Sequence, residues 1–222
     1  VKHAFGLYVF FTDSDCEVPK NLLAEFKKAY ESFSEVCGIG GNIINDGEGI
    51  FEKYETLTYK KYISKSESYI SNKRDEFPFA LGNMSYRKDL FVEYGGFSET
   101  HTYTISGEDA LLKEKFLKNN HVFLYVPVTV IHKKRYTFLS FVKQMRERGA
   151  GMLYDSKRKG KIQSKSSIYL RFLMIAPYFI GSLVGYQSVV FGFIDTLAFV
   201  FKNIGKLKYY RVVEALWKKF YF

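Results

Sequence analysis

Two aspartates around a serine, Asp13-Ser14-Asp15, stand directly after the apolar run Leu7-Tyr8-Val9-Phe10-Phe11. An apolar run of that length, closed by a polar turn, reads as a buried strand. The carboxylates then fall where the strand ends, and in open α/β sheets that edge is where ligands bind. Residues i and i+2 of an extended chain face the same way, so Asp13 and Asp15 can address one divalent cation. Their hard oxygens suit Mg²⁺ or Mn²⁺, ions that usually hold substrate phosphates as well. A turn followed by a helix cap uses the same residue types, so this pair alone leaves both readings open.

At 222 residues, the chain is long enough for one domain and an appendage. With 22 Phe and 18 Tyr, it can bury a large core. Cys16 and Cys37 make no disulfide framework, and each reads as a small buried or half-buried residue rather than a metal ligand. No signal peptide is visible. An apolar strand so near Val1 wants neighbours on both sides, which points to further protein upstream.

The net charge of +10 is uneven. Residues 1–132 carry 15 Lys+Arg against 19 Asp+Glu, residues 133–171 carry 12 against 2, and residues 172–222 carry 6 against 2. The basic excess borders residues 172–201, a stretch with no Lys or Arg and one charged side chain, Asp195. An apolar run beyond about 18 residues argues for membrane insertion. A hairpin around Gly185-Tyr186-Gln187-Ser188 fits, as does one tilted span with an interfacial helix. Lys and Arg on both flanks favour the hairpin with both ends cytoplasmic, where they would also meet anionic lipid. A buried helix pair in a soluble protein is the competing reading. The tail from 202 to 222 reads as an amphipathic, basic interfacial helix carrying Trp217. The basic residues adjoin an apolar run and lack groove-reading context, so nucleic acid is not an expected partner.

Between the ends the pattern is α/β. Residues 19–34 carry a helical apolar stripe, and residues 36–44 return to a strand. The sequence Cys37-Gly38-Ile39-Gly40-Gly41-Asn42 lacks the third spaced glycine and following helix of a phosphate loop, so it reads as a bulge or turn. Residues 46–76 read as a loop or helix. Gly82-Asn83 opens a unit that closes on Gly95-Gly96, paired glycines that suggest positive φ. Asp109 would start a helix over 110–117, where an acid also serves as an ordinary helix-start residue. Residues 122–131 form the last strand, ending at His132.

The order and spacing of these pieces resemble the family 2 glycosyltransferases. The matching elements are Asp13-Ser14-Asp15, Gly82-Asn83 with Arg87-Lys88, Gly95-Gly96-Phe97-Ser98-Glu99, Gly107-Glu108-Asp109, Tyr125-Val126-Pro127 and His132. Gln144-Met145-Arg146-Glu147-Arg148-Gly149 is similar to the family's Gln-x-x-Arg element, with Gly149 where processive members have Trp. The resemblance covers about residues 5–150.

That resemblance implies an α/β, Rossmann-like GT-A domain that lacks its N-terminal half, followed by C-terminal hydrophobic membrane helices. The expected organisation is a partial GT-A domain over 1–150, a basic juxtamembrane linker over 151–171, a membrane hairpin or single span over 172–201, and a basic tail over 202–222. The implied chemistry is inverting, metal-assisted transfer from a nucleotide-sugar donor to a lipid-linked or cell-surface glycan acceptor, on the cytoplasmic face of the cell membrane. Asp109 resembles the catalytic base. Asp15 and His132 resemble ligands of Mg²⁺ or Mn²⁺, and Asp13, Gln144 and Arg148 resemble donor or diphosphate contacts. Gly82, Asn83 and Glu108 are expected to meet substrate. Without an upstream half the chain alone would be inactive, and the alternative class is a non-catalytic, membrane-anchored binding module.

Overall fold

The computed structural model describes residues 1, 3–63, 66–72, 81–97, 108–161 and 163–214. The described residues up to Arg135 form one compact unit and those from Tyr136 a second.

The first unit is built on a six-stranded mixed sheet. Its strands are β1 (Tyr8–Phe11), β2 (Cys16–Glu17), β3 (Val36–Asn45), β4 (Tyr69–Ser71), β5 (Met84–Arg87) and β6 (Val122–His132). The order is β1-β5-β3-β6-β2, and β4 also pairs with β6. β3 and β6 run parallel, while β5 runs antiparallel to both β1 and β3. The carboxyl ends of β1, β3 and β6 therefore reach one edge, and the 3-10 turn Leu81–Asn83 that leads into β5 reaches it too.

Both faces are covered. On one, α1 (Leu22–Ser32) buries Leu22, Phe26 and Tyr30 against Val36, Ile39, Leu124 and Val130. These residues recur every four positions and so form one helical stripe. On the other, α3 (Lys88–Glu93) and α4 (Glu108–Lys118) bring Phe91, Leu112 and Phe116 onto Met84, Tyr86, Phe123 and Tyr125. α2 (Ile50–Ile63) lies between β3 and β4 in the chain.

β1 differs from the expected buried strand. None of its four residues is fully buried. Among the described residues it pairs only with β5, and Phe10 and Phe11 are half-buried while Tyr8 is exposed. The expected loop or helix over 46–76 contains both α2 and the short strand β4.

The glycine-rich stretch has a steric cause. β3 and β6 change register between Val36 and Gly38 and again between Gly40 and Asn42. At the second irregularity β6 carries the extra residues, and the ladder leaves carbonyls of both strands to be satisfied. Asn83, 1% exposed, does this: its amide donates to Asn42 O at 2.8 Å and to Val128 O at 2.9 Å. A Cβ on Gly41 would collide with the Asn83 amide and with Val128 O. A Cβ on Gly38 would stand 2.9 Å from Ser85 O. These glycines admit a close neighbour and do not cradle a phosphate. Further on, Gly95 and Gly96 do take positive φ, at 77° and 62°.

The second unit is helical: α5 (Phe138–Arg158), α6 (Lys165–Leu170), a 3-10 turn (Arg171–Met174), α7 (Ile175–Tyr186) and α8 (Val189–Lys208). Thr137 and Ser140 form a reciprocal capping box at the start of α5, which satisfies two otherwise orphaned donors. Most of residues 151–171, expected as a basic juxtamembrane linker, is helical, in the end of α5 and in α6. The chain reverses at Gln187, in the left-handed region at φ 51°, and Ser188 caps α8. α7 packs on α8, and Ser182 Oγ donates to Asp195 Oδ2 at 2.7 Å. The one carboxylate of the apolar stretch thus has a hydroxyl partner. Residues 165–186 form one helical stretch long and apolar enough to cross a membrane. α5 and α8 touch backbone to backbone: a Cβ on Gly149 would overlap Lys202 O, and one on Gly205 would overlap Arg146 O. Near this contact Lys206 is 3% exposed, and desolvation lowers its pKa to about 8, with Arg171 and Lys202 adding repulsion. Residues 215–222 of the expected tail lie outside the described residues.

The Asn83 bridge gives a direct test. Asn83→Ala removes both bonds to these half-buried carbonyls, at up to about 1–3 kcal/mol each. Asn83→Asp should not rescue it, because a carboxylate cannot donate to a carbonyl. Chemical unfolding of the three proteins measures this, and wild-type stability in Asn83→Asp would contradict the bridging role.

Candidate functional site

The edge that gathers the three strand ends also gathers the chemistry. After β1 the chain turns tightly, and the Cys16 N–H donates to Asp13 O at 3.1 Å. β2 then pairs with the end of β6, with Cys16 directly opposite His132. The Lys133 N–H donates to Asp15 O at 2.7 Å and fastens the loop from the other side. Two backbone bonds and a strand pairing therefore place residues 13–16 against residue 132.

The side chains converge. Ligand atoms of Asp13, Asp15, Cys16 and His132 all lie within 4.8 Å of one another. His132 Nε2 is 3.1 Å from Asp15 Oδ1, with the imidazole 19% and the carboxylate 45% exposed. Such half-open groups can bind a cation and still meet a ligand from solvent. Gly82 forms the wall: a Cβ there would come within 3.2 Å of Asp13 Oδ2 and 3.3 Å of Cys16 Sγ. Its missing side chain keeps that space clear, and Thr12 Oγ1 fixes its position by donating to Gly82 O at 3.1 Å.

This donor set fits a divalent cation. Two carboxylates and an imidazole are ordinary ligands, and a thiol is a fourth of softer character. Burial pushes the Cys16 thiol up, and the charges of Asp13 and Asp15 add to it. Cys16 was expected to be a small buried or half-buried residue rather than a metal ligand; it is half-buried, with its thiol beside the carboxylates. The signal that places it here is its position one residue after the Asp-x-Asp pair, combined with the turn that folds it back.

A second network borders the first. Lys133 Nζ lies 2.7 Å from Asp46 Oδ2 and 2.9 Å from Glu17 Oε2, and the guanidinium of Arg135 lies 2.9 Å from Asp46 Oδ1. Hydrogen bonds from Lys133 and then Arg135 hold the Asp46 carboxyl below its usual range. Asn45 contributes as well, donating from Nδ2 to Lys134 O at 3.0 Å. These residues tie the ends of β3 and β6 together beside the carboxylates. Sequence reading passed over Lys133 and Arg135, although they follow His132 almost at once.

The other expected site residues are distributed differently. Asn83 is buried: its amide nitrogen donates to Asn42 O and Val128 O, while its Oδ1 has no hydrogen-bond partner among the described residues. Asp109 stands at the start of α4, outside the four-residue group, and accepts a hydrogen bond from the Ala110 N–H at 2.8 Å. It belongs to the face that carries Tyr86. There it raises the buried Tyr86 phenol, after the larger effect of desolvation. The Tyr86 hydroxyl has no hydrogen-bond partner among the described residues. The side chain of Glu108 lies outside the described residues, as do residues 98–107. Gln144 and Arg148 sit on α5 of the second unit, four positions apart and so on one helical face. The family element they resemble spaces its Gln and Arg by three. Gln144 Oε1 is buried with no partner among the described residues.

A cavity of about 610 Å³ opens at the amino end of β1, among Leu7, Tyr8, Tyr30, Arg87 and Lys88. Tyr8 stacks on Tyr30 there, with ring centroids 3.9 Å apart. It shares no residue with the carboxylate group and lies at the opposite end of the strand.

The comparison with known families agrees with the resemblance read from the sequence. A family model described as glycosyl transferase family group 2 matches residues 8–213. No curated protein matches the chain. The match spans both the sheet with its Asp13–His132 edge and the helices that follow, and the mixed α/β architecture fits a GT-A-like domain. The chain belongs to glycosyl transferase family group 2 and is a glycosyltransferase, with a nucleotide-sugar donor and an acceptor as its substrates.

Proposed function

We propose that the chain transfers a sugar with inversion, assisted by Mg²⁺ or Mn²⁺, to a lipid-linked or cell-surface glycan acceptor at the cytoplasmic face of the cell membrane. The observation that carries the reading is the convergence of Asp13, Asp15 and His132 at the carboxyl edge of the sheet.

The residues divide the work. Asp15 and His132 would hold the ion, with Asp13 beside them or toward the donor ribose. A cation there would supply charge neutralisation for the departing diphosphate. Gly82 leaves room for a substrate group beside Asp13. Asp109 takes the proton from the acceptor hydroxyl as its oxygen attacks the anomeric carbon. The new carbon–oxygen bond forms while the bond to the diphosphate breaks, and the electron pair leaves with the diphosphate. No covalent enzyme intermediate is needed, in keeping with the lack of a nucleophile motif. Gln144 and Arg148 are assigned to the diphosphate or acceptor on the family resemblance alone.

The membrane part rests on the apolar helical stretch at 165–186 and on the lysines and arginines around it. A largely exposed apolar surface of that extent calls for a lipid or protein cover. Basic flanks on both sides favour a hairpin whose ends face the cytoplasm.

Two experiments test the reading. In the active enzyme, Asp109→Asn should lower turnover by about 10²-fold or more with donor affinity nearly unchanged, because a base acts mainly in the transition state. Asp15→Ala should instead weaken cation-dependent donor binding. Equal losses of donor affinity in the two variants would overturn this division.

For the membrane, the chain should sediment with membranes and resist extraction by high salt, since apolar burial does not depend on counterions. Removal of residues 172–222 should release it. Complete extraction by salt alone would reduce the attachment to electrostatics.

A further inference from the structure

We propose that Cys16 is a direct ligand at the Asp13–His132 centre, and that the centre therefore accepts thiophilic cations such as Zn²⁺ and Cd²⁺ in competition with Mg²⁺ or Mn²⁺. This rests on the cation site of the proposed function but extends it to a residue and an ion class that the reading does not need.

Three features of the backbone aim the thiol. Cys16 is the cross-strand partner of His132, and directly opposed residues put their side chains on one face about 5 Å apart. The turn closed by Cys16 N–H and Asp13 O folds the residue back over the first carboxylate. Gly82 borders Sγ and Asp13 Oδ2 together, so sulfur and oxygen line one cleared space. The result is a set of two carboxylate oxygens, one imidazole nitrogen and one sulfur, all within 4.8 Å.

The chemistry of that set differs from a pair of carboxylates. Mg²⁺ prefers oxygen, whereas thiolate and imidazole favour Zn²⁺ and its heavier analogue Cd²⁺. A four-coordinate Zn²⁺ has bonds of about 2.3 Å to sulfur and 2.0 Å to nitrogen. Reaching that geometry asks the widest pair of donors to close by roughly an ångström, within the range of side-chain rotation. Coordination replaces the thiol proton, which passes to solvent. Zn²⁺ held by all four protein ligands has no open position for a diphosphate oxygen. It thus occupies the centre and blocks it.

The second thiol provides an internal control. Cys37 is fully buried and donates to Val122 O at 3.2 Å, away from the edge.

Cd²⁺ titration of the full chain, followed by the ultraviolet thiolate-to-Cd²⁺ charge-transfer band, tests the proposal. Mn²⁺ binding is measured in parallel by the loss of the free-ion paramagnetic resonance signal. The wild type should show the band, with Cd²⁺ displacing Mn²⁺. Cys16→Ser should abolish the band and weaken Cd²⁺ by more than about tenfold, the least expected when even outer-shell partners cost 10–100-fold. The same variant should still bind Mn²⁺ through Asp13, Asp15 and His132, which also shows that it is folded. Cys37→Ser should keep the band. Mn²⁺ binding without a Cd²⁺ band in the wild type would overturn the role of Cys16 and leave the proposed function standing. A band that survives Asp13→Asn, Asp15→Asn and His132→Ala together would mean that Cys16 binds Cd²⁺ alone, and would also overturn it. Absence of Mn²⁺ binding and of the band in the wild type would refute the cation site itself.

Discussion

The side-chain amide of Asn83 is the interaction on which the first unit turns. It fills the gap where β3 and β6 fall out of register, donating to one carbonyl on each strand. The irregularity matters because it sets which residue of β6 arrives at the edge. Beyond it Asn42 faces Thr129, and the ladder continues until Asn45 faces His132. A shift of register would move every later side chain along the edge, and His132 would no longer stand opposite Cys16. Asn83 in turn ends the 3-10 turn whose Gly82 walls the carboxylate group. One buried amide therefore couples the position of the imidazole to the space in front of Asp13.

Around that support, the edge is assembled from segments far apart in sequence with little use of core packing. Backbone bonds from Cys16 and Lys133 hold the Asp-x-Asp loop, and charged pairs from Lys133 and Arg135 to Asp46 and Glu17 hold the strand ends. These pairs are exposed, and exposed ion pairs contribute little to stability. Their use is local: they fix polar chain ends that no hydrophobic contact covers. The core lies away from the edge, on the two faces of the sheet. The core and the polar edge are thus carried by different residues.

Much of this was legible in the chain. The Asp-x-Asp pair after an apolar run, the helix starting at Asp109 and the strand ending at His132 follow from local pattern. The glycine stretch was also read correctly as irregular strand rather than phosphate loop. What could not be read was whatever depends on distant neighbours. β1 looks buried because it is apolar, yet its burial depends on a second partner strand. The part that the Asn83 amide nitrogen plays at the irregularity between β3 and β6 was not legible either, because both carbonyls it meets are over forty positions away. Cys16 looks like a small buried or half-buried residue, and only its pairing with His132, more than a hundred positions away, places its sulfur beside the carboxylates. Gln144 and Arg148 show the limit of motif reading, since their four-residue spacing aligns them on one face of α5 but departs from the family element.

The account makes the carboxyl edge a cation centre, with Asp109 as a separate base. Crystals of the chain soaked in Mn²⁺ and measured at its absorption edge test this most directly. The account predicts one anomalous peak at coordination distance from Asp15 and His132, with Asp109 outside the coordination sphere. A peak elsewhere, or an ion coordinated by Asp109, would contradict it.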